Sequence, residues 1–303
     1  MIPRYPEFRP LGLADRATLE GYCARTDSSD FTFLNLYCFD TRGTVAWSLL
    51  HDNLVVRFQA YTGDGQFLSF CGANRAAETC RTLLGDCGRL GLPPELRLIP
   101  HDAVAALLDA DAGLSIEEDA DNHDYLMSLA RLAALDGAPY KKHRNLRGRF
   151  LREYPSAGLA DLDLADRGTQ ARVLGAFERW EASAGKGRAE TAGRWVAYRR
   201  LLDAAGSFPL IALGVQVEGE LVGFSIAERM SPDCAHCFAE KADRSLPGIF
   251  AYLKAGMARR LLEEGFARLN YEQDLGLPGN RAMKHHWHPV GRVRKYVVRR
   301  GGE

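Results

Sequence analysis

The chain has 303 residues, about two ordinary domain lengths, of which 46% are apolar and 26% charged. Thirty-nine basic side chains balance thirty-nine acidic ones, which excludes a polycation that coats nucleic acid without selectivity. Seven cysteines, an odd number spread through apolar segments, exclude a disulfide framework and fit reduced thiols.

In chain order, a short strand at 7–11 runs into Leu11-Gly12-Leu13-Ala14-Asp15-Arg16, where Asp15 is placed to cap a helix. The aromatics Tyr22, Phe31, Phe33, Tyr37 and Phe39 read as core. Alternating segments at 44–50, 54–61 and 66–71 predict an antiparallel meander, with turns at Asp52-Asn53 and Gly63-Asp64-Gly65. A helix over 74–90 follows, then a strand at 95–99, a helix at 101–108 and a strand at 114–118. A basic helix over 140–153 bridges to the second half.

There the series repeats. A strand at 159–162 leads to Leu162-Asp163-Leu164-Ala165-Asp166-Arg167, a copy of the earlier hexapeptide with Asp166 as cap. A longer helical stretch, 168–205, precedes a second meander at 210–217, 221–229 and 234–240. A helix over 247–264, a strand at 267–271, a helix at 280–286 and a strand at 293–298 close the chain. The expected organisation is therefore two contiguous α/β (α+β) domains, 1–138 and 154–303, with mixed sheets and flanking helices, joined by 139–153. The first reads as a structural copy, because it has no counterpart to the acidic cluster near 272. The active or binding site is expected in the second.

That cluster is Asn270, Glu272 and Asp274. Continuous strand alternation would place all three on one face, where the carboxylates can hold an acceptor ammonium and take its proton, as amine acylation requires. A solvated strand end paired to Lys284 or Arg281 fits the same residues. Lys241 ends the last meander strand and is expected to converge on this cavity. The stretch from Lys241 to Gly248 precedes a helix N-terminus, which favours anions; Arg244, Ser245 and Gly248 are the candidate phosphate-binding residues. A plain capped helix, with Ser245 as cap and Pro247 in the first turn, is the alternative. On the bridging helix, Lys142 and Arg144, among seven basic residues, fit either a solvated face or a grip on tRNA phosphates. Lys284, expected to converge on the same cavity, and Arg281 are substrate-binding candidates with Asn270, and Glu190 and Tyr296 are secondary ones. Cys234-Ala235-His236-Cys237 is a lone CxxC with His236 poorly placed to ligate beside it, so no zinc site is expected.

The order strand, helices, antiparallel meander, helix, strand, helix, strand resembles the GNAT acyl-CoA N-acyltransferase fold, here in two tandem copies. Glu240-Lys241-Ala242-Asp243, Gly248, Asn270-Tyr271-Glu272-Gln273-Asp274-Leu275-Gly276, Lys284, Pro289 and Lys295-Tyr296 resemble the phosphatidylglycerol lysyltransferase C-terminal domain family. Asp30-Phe31-Thr32-Phe33-Leu34-Asn35-Leu36-Tyr37 and Lys142-His143-Arg144-Asn145 resemble its stand-alone members. The resemblance implies an acyl- or aminoacyltransferase with aminoacyl-tRNA or acyl-CoA as donor and a small-molecule, peptide or lipid-headgroup acceptor. No covalently bound cofactor is expected. The alternatives are a non-catalytic tandem module binding a nucleotide, tRNA or protein, and an acetyl-CoA-dependent N-acetyltransferase. No apolar run approaches the ~18 residues of a membrane span, and the start of the chain lacks the apolar core of a signal peptide, so a cytoplasmic protein is expected.

Overall fold

Period-2 alternation in each meander becomes the centre of a sheet. The computed structural model describes residues 2–61, 63, 65–108 and 113–301; Asp64 of the predicted second turn lies outside them. The first stretch forms β1 (Arg9–Pro10), α1 (Arg16–Cys23), α2 (Phe33–Cys38), β2 (Ala46–Leu50), β3 (Asn53–Gln59), β4 (Gln66–Cys71), α3 (Ala76–Asp86), β5 (Glu95–Pro100), α4 (His101–Leu108) and β6 (Leu114–Glu118). Asp15 precedes α1 without capping it. Its carboxylate instead accepts the Gly12 N–H at 2.9 Å and the Trp47 indole N–H at 3.1 Å.

The chain continues with β7 (Asp124–Ser128), α5 (Leu129–Ala134), α6 (Lys141–Glu153), β8 (Gly158–Asp161), α7 (Arg167–Ser183) and α8 (Arg188–Asp203). Asp166 caps α7 as expected, accepting the Thr169 N–H at 2.7 Å. Then come β9 (Ile211–Val217), β10 (Glu220–Arg229), β11 (Cys234–Ala242), α9 (Ile249–Glu263), β12 (Arg268–Asn270), α10 (Pro278–His286), β13 (Gly291–Val293) and β14 (Lys295–Arg300).

Among the described residues each sheet has seven strands, ordered β1-β2-β3-β4-β5-β14-β6 and β13-β7-β12-β11-β10-β9-β8. The expected contiguous halves are corrected here. The compact units are residues 1–124, 273–282 and 292–303, and residues 125–272 and 283–291. The cause is a reciprocal strand exchange. The last strand, β14, inserts between β5 and β6 of the first sheet, while β7 pairs antiparallel with β12 of the second. The helix expected as a bridge, α6, belongs to the second unit and packs on α9.

The first unit closes its core with Val55, Leu68 and Phe70 from the meander, Leu83 and Leu84 from α3, and Val298 from β14. It also buries an ionic knot. The Lys295 ammonium binds Asp30 and lies 2.6 Å from Asp124, with all three side chains fully buried. The pair of carboxylates holds the lysine above its ordinary pKa despite burial. In the second unit α9 lies against the sheet so closely that a Cβ on Gly256 would come within 2.4 Å of Leu159. No helix among the described residues is long and apolar enough to cross a membrane.

Candidate functional site

The β10–β11 hairpin supplies most of the site. Register pairs Glu228 with His236, then slips by one between Ile226 and Ala227, leaving Phe238 as the extra residue. Such a bulge shifts the alternation of side chains that follow it. Lys241 consequently shares the face of His236, and Glu240 turns to the other face with Cys237.

On the first face, against α7 and α8, Lys241 Nζ stands 5.0 Å from the centre of the Trp180 ring and donates to the Glu240 carbonyl at 3.0 Å. Phe238 meets Tyr198 at 6.1 Å, and Tyr198 meets Phe177 at 4.7 Å. Burial, reinforced by the nearby Arg194 guanidinium, lowers the Lys241 pKa to about 8. The carboxylate of Glu272 acts on both Lys241 and Tyr198 electrostatically.

Glu272 reaches this face through a turn. Strand β12 ends at Asn270, whose side-chain oxygen accepts the Glu272 N–H at 2.9 Å. Glu272 itself has φ 57°, a left-handed conformation uncommon for a residue with a Cβ. Tyr125 of β7 clamps the turn, donating its N–H to the Glu272 carbonyl at 3.1 Å and accepting that of Tyr271 at 2.8 Å. The side chain of Glu272 then contacts His236 Nε2 at 3.2 Å, while Glu228 holds His236 Nδ1 at 2.9 Å. His236 is fully buried; burial alone would lower its pKa, but the two carboxylates raise it to about 9.

The opposite face carries a second polar cluster where β11 and β12 part. Their parallel pairing stops at His236 and Asn270. Beyond it, the Tyr271 hydroxyl donates to Glu240 at 3.0 Å, and Lys254 binds Glu240 at 2.8 Å. The ammoniums of Lys254 and Lys284 lie 3.8 and 4.6 Å from the centre of the Tyr271 ring. Lys284 also donates to the Tyr271 carbonyl.

The expected convergence is therefore partial. Lys241 and Glu272 come to one face within electrostatic reach of each other, and Asn270 shapes the turn that presents Glu272. Lys284 is on the Tyr271 side. Asp274 and Arg281 belong to the first unit, where Asp274 is buried, accepts the Gly276 N–H at 2.8 Å and pairs with Arg281 Nε at 3.0 Å. The alternation that was to align Asp274 with Glu272 fails because the chain turns at Glu272. Tyr296 lies in β14 with its hydroxyl 3.2 Å from His101 Nδ1. Glu190 is an exposed residue of the first turn of α8, paired to Lys186.

In the stretch from Lys241 to Gly248, the residue that caps α9 is Gly248 and not Ser245. Gly248 has φ 93°, and a Cβ there would lie 2.1 Å from the Leu146 carbonyl oxygen of α6. Its glycine serves close approach of α6. The Arg244 N–H is taken by Ser183 Oγ at 2.9 Å and the Ser245 N–H by Asp243 at 2.9 Å. Exposed Lys142 lines an open groove of about 730 Å³ with Lys141, Asn145, Arg149 and Arg152. Arg144 donates to the carbonyls of Leu135 and Gly137 at 2.5 and 2.8 Å, closing the turn before α6.

Cys234 and Cys237 are buried, and among the described residues no group of three or more His, Cys, Asp or Glu side chains is arranged to hold a metal ion. Sequence reasoning missed Glu228, His236 and Arg194 as members of the site. The hairpin held the signal for the first two: strands flanking the turn at Ser231-Pro232-Asp233 bring Glu228 opposite His236. Arg194 had none, because its place depends on how α8 packs.

A protein-family model described as phosphatidylglycerol lysyltransferase, C-terminal, matches residues 24–299. A solved conserved protein of unknown function from Bacteroides thetaiotaomicron VPI-5482 is similar with a TM-score of 0.83 and 24% identity, over 98% of this chain and 99% of that one. The C-terminal domain of a putative lysylphosphatidylglycerol synthetase from Agrobacterium fabrum gives 0.66 and 13%, over 96% and 93%. L-PGS from Bacillus licheniformis gives 0.63 and 16%, over 100% and 95%. No match is found among proteins of curated function. The fold is α/β with two mixed sheets, the fold of these solved structures.

Proposed function

Because the chain belongs to the phosphatidylglycerol lysyltransferase C-terminal family, we propose that it transfers an amino acid from aminoacyl-tRNA to an amine or hydroxyl acceptor on the Lys241–Glu272 face of its second unit. The observation that carries the reading is one ammonium and one carboxylate brought to the same aromatic-walled face by a bulge and a left-handed turn.

For an amine acceptor, Glu272 binds the ammonium and accepts its proton, leaving the neutral amine that attacks. As the amine nitrogen bonds to the donor's ester carbonyl, negative charge grows on the carbonyl oxygen. The Lys241 ammonium stabilises that charge. The intermediate collapses by breaking the ester bond: Glu272 returns its proton to the leaving tRNA hydroxyl, then takes the second proton of the acceptor nitrogen and passes it to water. Amide and free tRNA are the products. The basic groove on α6 supports tRNA as the donor, since lysine and arginine side chains there suit phosphates. An acyl-CoA donor is disfavoured by the contact of Gly248 with α6 and by the Tyr271, Glu240 and Lys254 cluster in the strand fork. A charged-tRNA donor supports a cytoplasmic site of action for the proposed reaction.

The test is discharge of tRNA charged with labelled amino acids, using ethanolamine as acceptor. Glu272→Gln is expected to slow transfer by roughly 100-fold or more, the usual scale for removing a general base. Equal rates for the two proteins would refute the reading.

A further inference from the structure

We propose that His236 is a positioning residue of this site: it fixes the Glu272 carboxylate for the acceptor ammonium, and Glu228 fixes His236. The inference rests on the function proposed above and adds a residue that the reaction itself does not touch.

Both ring nitrogens of His236 are held by carboxylates, Glu228 at 2.9 Å and Glu272 at 3.2 Å. The two carboxylates come from different places, the neighbouring strand β10 and the turn after β12. The trio grades from inside to outside: the side chains of His236, Glu228 and Glu272 are 0%, 11% and 27% exposed. A chain that begins in the interior and ends on a partly exposed carboxylate orients its outer member. Two carboxylates offset the desolvation of a fully buried imidazolium, which a single pairing does not unless its geometry is good. With one imidazolium between two carboxylates the trio keeps one net negative charge, the sign that attracts an ammonium.

The surroundings agree with an orienting role. Lys241 and Cys237 of β11 and Tyr198 of α8 lie within electrostatic reach of Glu272, and Arg194 of α8 acts on Lys241 and Tyr198. The backbone, at φ 57°, sets only where the Glu272 side chain starts, and its own torsions need a partner to be fixed. A donor fixed at His236 Nε2 removes that freedom. Fixing a catalytic group in its working geometry is worth a large part of its effect.

The experiment has two arms. In the first, the imidazole nitrogens of His236 are titrated by NMR in the whole protein without substrate. The expected midpoint is about 9, falling by at least one unit in Glu228→Gln. A midpoint near 6.5 in the unmutated protein overturns the inference. In the second arm, the pH profile of transfer from charged tRNA to ethanolamine is measured in a Lys241→Arg background, which removes the lysine's own titration. Glu228→Gln is expected to move the alkaline limb downward by the same interval as the NMR midpoint. His236→Gln, which keeps one donor but no charge, is expected to lower kcat about tenfold and to abolish that limb, with KM for ethanolamine raised. Should His236→Gln fail to fold, the Glu228→Gln profile decides alone. If Glu272→Gln abolishes transfer while the Glu228→Gln and His236→Gln profiles overlay their parent, the inference is wrong and the proposed function stands. If Glu272→Gln transfers normally, the proposed function is what fails.

Discussion

Lys241 and His236 set the pH behaviour at the scale of single residues, with opposite consequences. A lysine whose pKa is lowered to about 8 loses its charge within the working range. Transfer that needs its ammonium should decline above pH 8, and Lys241→Arg should carry activity into more alkaline solution; an unchanged profile in that variant would remove Lys241 from the mechanism. His236 acts on stability. Its folded pKa, about 9, is above the ordinary 6.5, so its stabilising contribution is complete below pH 6.5 and is lost as pH rises through 9. Urea unfolding between pH 6 and 9.5 should show the loss in the unmutated protein and a flatter dependence in His236→Gln. Lys241 and Glu272 were legible in the sequence because a cation ends one strand and an acidic cluster follows another. Asp274 was misplaced because alternation was extended past the point where Glu272 turns left-handed. His236 was passed over because it was weighed as a metal ligand beside two cysteines, whereas its partners are the carboxylates across the hairpin and across the fork.

Gly248 and α6 decide what the second unit can admit at the scale of elements. Both meanders, their following helices and the two inserted helices could be read from periodicity, because a strand or helix with one apolar face advertises it. The contact between α6 and the start of α9 could not, since Gly248 fits a phosphate loop and a close helix approach equally well in sequence. The distinction gives a prediction. Gly248→Ala combines a Cβ 2.1 Å from the Leu146 carbonyl oxygen with φ 93°, and should cost about 2–4 kcal/mol in urea unfolding, from strain and displaced packing together. A variant as stable as its parent would mean that α6 does not seal this turn.

The reciprocal exchange of β7 and β14 was not legible, and it governs the whole molecule. Sequence order places β14 with the second half, yet its neighbours are β5 and β6, and its first residue carries the buried ammonium between Asp30 and Asp124. Local pattern reports which face of a strand is buried but not which sheet buries it. Lys295→Met should therefore destabilise the first unit by about 3–5 kcal/mol, because two buried carboxylates lose their counter-charge; thermal unfolding with the Trp47 signal as reporter measures it, and an unshifted transition would contradict the knot. The most direct test of the central claim, that chemistry belongs to the Lys241–Glu272 face, uses the four tryptophans as reporters. Trp47 is buried in the first unit, Trp180 and Trp195 belong to the helices that wall the site, and Trp287 packs beside Lys254 on the opposite side of the second sheet. Their indole N–H signals are followed by NMR while an amide-linked aminoacyl-adenosine, which cannot be hydrolysed, is added. The account predicts that Trp180 shifts and Trp47 and Trp287 stay in place; a shift at Trp47 or Trp287 with Trp180 unmoved would contradict it.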